Sequence, residues 1–149
     1  MDLILWRHAE AEDGVNDSAR ELTKRGHKQA AQIARWLKER LPGSCEILVG
    51  PSRRTQQTAD ALGLPYHATK KVGLGASAPD VLAAAGWPGR EGAVVVVGHQ
   101  PTLGQVAALV LSEREADWPV KKGSLWWFSS RPQHGGEIVL RAVVAPDLL

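Results

Sequence analysis

Three short stretches of the chain carry residues that could do chemistry together: Arg7-His8, Ser52-Arg53-Arg54 and His99. Arginine presents a planar fork of donors that matches phosphate oxygens, and it stays charged at any working pH. Histidine attacks phosphorus when one ring nitrogen is neutral and aimed, and a hydrogen bond from the other nitrogen fixes the tautomer. A second histidine alongside can bond the transferring oxygens and offset their charge in the transition state. Taken singly each stretch is weak, because a lone histidine after a strand is more often structural and paired arginines at a helix start usually form a surface face. Together they describe a crevice for a phosphoryl group. Two histidines could instead hold zinc, but zinc usually takes a third protein ligand, and two guanidinium groups beside it would repel it. The pattern therefore asks for neither metal nor cofactor.

Apolar patterning places these residues on elements. Asp2 to Trp6 reads as a buried first strand, and Arg7-His8 follows it. Ala9 to Leu22 is polar, with turn signals at Asp13-Gly14 and Asn16-Asp17-Ser18, and reads as loop. Thr23 caps a helix running to about Arg40, with Ala30, Ile33, Ala34 and Leu37 at helical spacing and Pro42-Gly43 as its stop. Glu46 to Val49 forms a second strand, turned by Gly50-Pro51-Ser52 into a helix from Arg53 to about Leu62. Tyr66 to Ala68 is a short strand and Pro79 to Ala85 a weaker helix. Ala93 to Val97, with four consecutive valines, belongs in mid-sheet, buried on both faces. His99 follows it, before a helix from Thr102 to about Leu111. Ser124 to Ser129 and Glu137 to Val144 close the chain as two strands. This order predicts one α/β domain over residues 1–149: a three-layer sandwich with a mostly parallel sheet and helices on both faces. In such sheets ligands bind beyond the carboxyl ends of the strands, where all three stretches fall. The helices that begin near Arg53 and Thr102 could add backbone N–H groups to an anion site.

The chain has 149 residues, 44% of them apolar, enough to bury a core. A net charge of +2 does not argue for nucleic acid, and no apolar run approaches the length of a membrane span. The apolar start, Met1 to Trp6, is too short for a signal peptide. One cysteine, Cys45, excludes a disulfide framework, reads as a small buried apolar residue and suits a reducing cytoplasm. Six tryptophans stand against one tyrosine and one phenylalanine. Trp126 and Trp127 are adjacent, so on a strand they face opposite sides, one into the core and the other toward a surface contact. His27, His67 and His134 read as surface residues.

At this point the residues resemble a known family. Trp6-Arg7-His8-Ala9-Glu10-Ala11-Glu12 is similar to the signature of the histidine phosphatase superfamily in the form used by its short, SixA-type phosphohistidine phosphatase branch, with Ala in place of Gly. Asp17-Ser18-Ala19-Arg20, Leu22-Thr23 and Gly26 resemble its next block. Pro51-Ser52-Arg53-Arg54-Thr55-Gln56-Gln57-Thr58-Ala59 resembles the arginine block, with Pro-Ser where Ser-Pro is commoner. Val97-Gly98-His99-Gln100-Pro101-Thr102-Leu103 resembles the second-histidine block, and Lys122-Gly123-Ser124 the step before the penultimate strand. The resemblance implies that His8 is the nucleophile that becomes phosphorylated, that Arg7 and Arg54 clamp the phosphate, and that His99 is an electrostatic stabiliser. Arg54 is preferred to Arg53, which reads as solvated, because it stands three residues before Gln57-Thr58. Arg20 either lines the substrate mouth or pairs with a nearby acid.

Larger members of that family carry a helical insertion over the site and often an acid for the leaving group. Here roughly 35 residues separate Gln57-Thr58 from the valine strand, which leaves no room for a cap. An open site admits a bulky substrate, and phosphohistidine on a protein suits it because a protonated ring leaves as neutral imidazole. Glu10, Glu12 and Asp17 are candidate general acids, with no ground for choosing among them. The substrate is thus a phosphorylated protein or, alternatively, a small phosphate ester or anhydride. A phosphate-recognition module without catalysis is the reading from another class, and the presence of both His8 and His99 speaks against it. No nucleic acid or membrane partner is expected.

Overall fold

A computed structural model describes residues 1–149. The chain order is β1 (Asp2–Arg7), α1 (Lys24–Lys38), β2 (Cys45–Val49), α2 (Arg53–Asp60), β3 (His67–Ala68), α3 (Ala78–Ala85), β4 (Ala93–Gly98), α4 (Thr102–Ser112), β5 (Leu125–Arg131) and β6 (Glu137–Val144). Short 3-10 turns lie at Asp17–Ala19, Lys70–Val72, Pro132–His134 and Pro146–Leu148. One six-stranded sheet has the order β3-β2-β4-β1-β5-β6. β3, β2, β4 and β1 pair in parallel, and β5 and β6 continue antiparallel. This is the expected α/β sandwich, with no cap between α2 and β4.

Strand alternation divides the core. Ile4 and Trp6 of β1 and Val95 and Val97 of β4 face Ile33 and Leu37 of α1 and Ala59 of α2. Leu3, Leu5, Val94 and Val96 face Val81 of α3 and Leu103 and Val106 of α4. Every residue of β4 is buried, as its valine run requires of a strand flanked on both edges and both faces. Thr23 caps α1 as expected, accepting from the Gly26 N–H at 2.9 Å. Ser77 and Asp80 form a reciprocal capping box that starts α3 at Ala78.

Several expectations need correction. Residues 9–22 are more than open loop: Ala11 bridges Leu22, Glu12 N–H donates to the Glu21 carbonyl at 2.8 Å, and a 3-10 turn forms the tip. Cys45 is half-buried at the start of β2. Trp127 enters the α1/α2 core and Trp126 packs on the other, its ring 6.1 Å from Trp118 and 6.4 Å from Phe128. Trp126 is therefore half-buried and packs against both aromatic rings. The β5/β6 register shifts beside Trp127 and Phe128, which are opposed by Ala142 and Leu140 and leave Arg141 as the extra residue. His27, His67 and His134 are exposed, as read from the sequence.

Candidate active site

The parallel register builds the site. Arg7 at the end of β1 lies opposite Gly98 at the end of β4, so the next residues, His8 and His99, leave adjacent strands side by side. Their ring centroids are 5.3 Å apart. The His8 N–H donates to the Gly98 carbonyl at 3.1 Å, tying the two turns together. β2 ends beside β4, and α2 then delivers Arg54 with only 4% of its surface exposed. His8, Arg7, Arg54 and His99 are thus carried by three adjacent strand ends, where the sequence placed them. Arg53 points away, exposed and paired with Glu21 at 3.1 Å.

His8 is set up as a neutral ring. Its Nδ1 lies 2.8 Å from the Ala9 carbonyl, which can only accept, so Nδ1 carries the hydrogen and Nε2 keeps its lone pair. Burial pushes its pKa down to about 3; His99, Arg54 and Arg7 push the same way, and the Ala9 bond opposes them. Burial, followed by the Arg54 charge, lowers His99 to about 4, with Asp17 opposing. Burial also lowers the Arg7 pKa. Arg7 Nη1 donates to the Val120 carbonyl at 2.7 Å, which fixes the guanidinium.

Three buried nitrogens of this group have no hydrogen-bond partner: Arg7 Nε, Arg54 Nε and His99 Nδ1. Only two other buried side-chain polar atoms share that condition, Ser124 Oγ and Trp127 Nε1. Buried polar groups are nearly always paired, so three orphans on three site residues mark where a polar ligand belongs. Ser124 itself sits opposite Arg7, donating no side-chain bond while its carbonyl accepts the Arg7 N–H at 3.0 Å.

The loop after His8 is held by residues whose roles the sequence did not disclose. Thr58 Oγ1 accepts the Ala9 N–H at 3.0 Å, Gln57 Oε1 accepts the Leu22 N–H at 2.7 Å, and Gln29 Oε1 accepts the Glu10 N–H at 3.0 Å. A Cβ on Gly26 would overlap the Glu10 carbonyl, so this glycine lets α1 touch the loop. The three candidate acids fare differently. Asp17 is paired with Arg54 and with Arg20, each at 3.1 Å, and those bonds hold its carboxyl below the usual range. A carboxylate so held suits ion pairing and not proton donation. Glu10 lies 3.7 Å from Arg25, and Glu12 is exposed. Arg20 forms an ion pair with Asp17, and its Nε donates to the Glu12 carbonyl at 2.7 Å.

Sequence and fold comparisons place the chain among known proteins. The pattern of the histidine phosphatase superfamily (branch 1) matches residues 3–72. The phosphohistidine phosphatase SixA of Escherichia coli (strain K12) is 31% identical over 121 residues, covering 72% of this chain and 73% of that protein. The chain belongs to the histidine phosphatase superfamily. Within it, the chain falls in the SixA-type branch. The protein histidine phosphatase SixA solved with tungstate superposes with a TM-score of 0.78 at 21% identity, covering 99% of each chain. A phosphoserine phosphatase of Entamoeba histolytica solved with phosphoserine superposes with a TM-score of 0.73 at 19% identity, covering 99% of this chain and 98% of that one. These two likenesses establish the fold. No helix of this histidine phosphatase is long and apolar enough to cross a membrane.

Proposed function

We propose that the protein is a phosphatase that takes a phosphoryl group onto His8 Nε2 and passes it to water, and that its substrate is phosphohistidine on another protein. The observation that carries the reading is the set of unpartnered nitrogens on Arg7, Arg54 and His99 around a histidine whose tautomer leaves Nε2 free. Arg7 and Arg54 hold the phosphoryl oxygens and supply the positive charge that a metal would otherwise bring, so the reaction proceeds without one. His99 stabilises the charge that builds on those oxygens. His8 Nε2 bonds to phosphorus as the leaving group takes the shared electron pair; water then attacks phosphorus and releases inorganic phosphate, restoring His8. A phosphohistidine leaving group departs as imidazole once its ring is protonated, so none of Glu10, Glu12 or Asp17 has to serve as general acid. The absence of a cap gives a protein side chain access, and the likeness to SixA supports the same substrate. A cytoplasmic location suits a chain with one cysteine.

A small phosphate ester is the second reading, favoured by the phosphoserine held in the Entamoeba relative of the same fold. Brief incubation with labelled phosphohistidine protein, followed by quenching in alkali, tests both. Acid-labile label on His8 and its loss in His8→Ala are expected. Label from phosphoserine alone would move the substrate to the second reading, and no label from either would overturn the enzyme.

A further inference from the structure

Ser52 occupies the N-cap position of α2, yet its side chain does not bond the helix backbone. A serine there ordinarily accepts from a backbone N–H two or three residues on. Its Oγ instead lies 2.8 Å from Thr55 Oγ1 and 3.3 Å from His99 Nε2. All three side chains are buried.

We propose that Ser52 and Thr55 are positioning residues that dictate which nitrogen of His99 carries the hydrogen, so that His99 must gain a proton when a phosphoryl group binds. This rests on the phosphoryl reading of the site.

Hydrogen counting fixes the direction of the chain. Thr55 Oγ1 is 2.6 Å from the Gly50 carbonyl and 2.9 Å from the Ser52 carbonyl. Carbonyls only accept, so the single Thr55 hydroxyl hydrogen goes to them. Toward Ser52, Thr55 has only a lone pair left, and Ser52 therefore donates to Thr55. Toward His99, Ser52 in turn has only a lone pair, so His99 Nε2 must be the N–H. A neutral imidazole has one N–H, which leaves a lone pair on Nδ1. That Nδ1 is the buried, unpartnered atom. A fully ionised phosphoryl oxygen also offers only lone pairs. The two can bond only if Nδ1 takes a proton from solution, giving an imidazolium that holds the oxyanion at one end and Ser52 at the other.

The charged groups around His99 fit this exchange. Arg54 from α2 and Arg7 from β1 oppose protonation of the empty site, Asp17 from the loop tip favours it, and His8 lies beside it. A bound dianion adds two negative charges to the favouring side.

The test uses the full chain and two measurements. Nitrogen-15 spectra of the ligand-free protein near neutral pH should show His99 with hydrogen on Nε2 and not on Nδ1. Ser52→Ala and Thr55→Val should both give a mixture of tautomers, and Thr55→Ser should restore the single one. Titration with tungstate in buffers of different ionisation enthalpy should show about one proton taken up per anion in the wild type and less than about half of that in Ser52→Ala. Turnover in Ser52→Ala should fall about tenfold and recover in Ser52→Thr. Hydrogen on Nδ1 in the free wild type, or an unchanged spectrum in Ser52→Ala, would overturn the proposal. Tungstate bound without proton uptake would also overturn it while sparing the phosphoryl reading. Failure to bind tungstate at all would overturn both the phosphoryl reading and the proton uptake built on it.

Discussion

The two halves of the sheet end in different ways. β2, β4 and β1 run parallel, so their carboxyl ends lie along one edge, where His8 and His99 follow β1 and β4 directly and Arg54 follows the short turn after β2. β5 and β6 run antiparallel, so their ends alternate, and what they carry is bulk: Trp126, Trp127 and Phe128 pack the two cores. Convergence of chemistry is a property of parallel strands, while the antiparallel pair supplies area and the chain leading into it supplies two backbone props. Those props come from the segment just before β5, where Val120 and Ser124 carbonyls accept from Arg7.

If the halves divide chemistry from packing, substitutions should separate cleanly. His8→Ala should lower turnover by about 10⁴-fold or more while leaving thermal stability near wild type, measured by single-turnover kinetics and calorimetry. Arg54→Ala should cost about 10³-fold in kcat/KM, whereas the adjacent Arg53→Ala should stay within about twofold. Equal losses from the two arginines would contradict the burial difference between them. Trp127→Ala, in the antiparallel half, should destabilise the fold by about 3–5 kcal/mol in denaturant unfolding, yet kcat per folded molecule should hold within about twofold.

Acidification should reach the parallel half through its histidines. Both rings have folded-state pKa values below the unfolded value, near 3 for His8 and 4 for His99. Above about pH 6.5 neither state binds the proton and nothing is lost; below it the unfolded chain is protonated first, so stability falls as pH drops toward the folded values. By pH 5 each ring should have cost on the order of 2 kcal/mol, and His8→Gln should show a shallower decline than wild type. The smallest effect belongs to Asp17→Asn. Freeing Arg54 from an exposed carboxylate should lower KM by about two- to threefold with little change in kcat. A collapse of kcat there would restore Asp17 as the acid.

Much of this was legible in the chain because strand ends and motifs coincide. The four valines placed β4 in mid-sheet, and Arg7-His8, Arg54 and His99 needed only strand order to bring them together. Ser52 was harder to read: a serine after proline at a helix start signals a cap, and nothing in the spacing says that its hydroxyl turns instead to a histidine 47 residues away. Thr58 likewise lies within the arginine motif, while its bond to the Ala9 N–H depends on α2 lying against the loop. The ion pairing of Asp17 was hidden for a similar reason, since the two arginines beside it are brought there by tertiary structure. The Arg141 bulge left no trace in an alternating pattern, because one extra residue in a half-exposed strand still reads as a strand.

That bulge has a consequence for the molecule's neighbours. A sheet with open edges can keep recruiting strands from other copies, the route to fibrous aggregation. One edge here, β3, is two residues long and offers too little ladder to extend. The other, β6, is eight residues with Leu140 and Val143 exposed, which would be an inviting template. Arg141 interrupts it, its guanidinium 4.8 Å from the Trp127 ring centroid and 3.4 Å from an Asp2 oxygen. A charge at a kink in the strand denies an incoming chain the flat, continuous row of partners that it needs, so the packing half of the protein also guards its solubility.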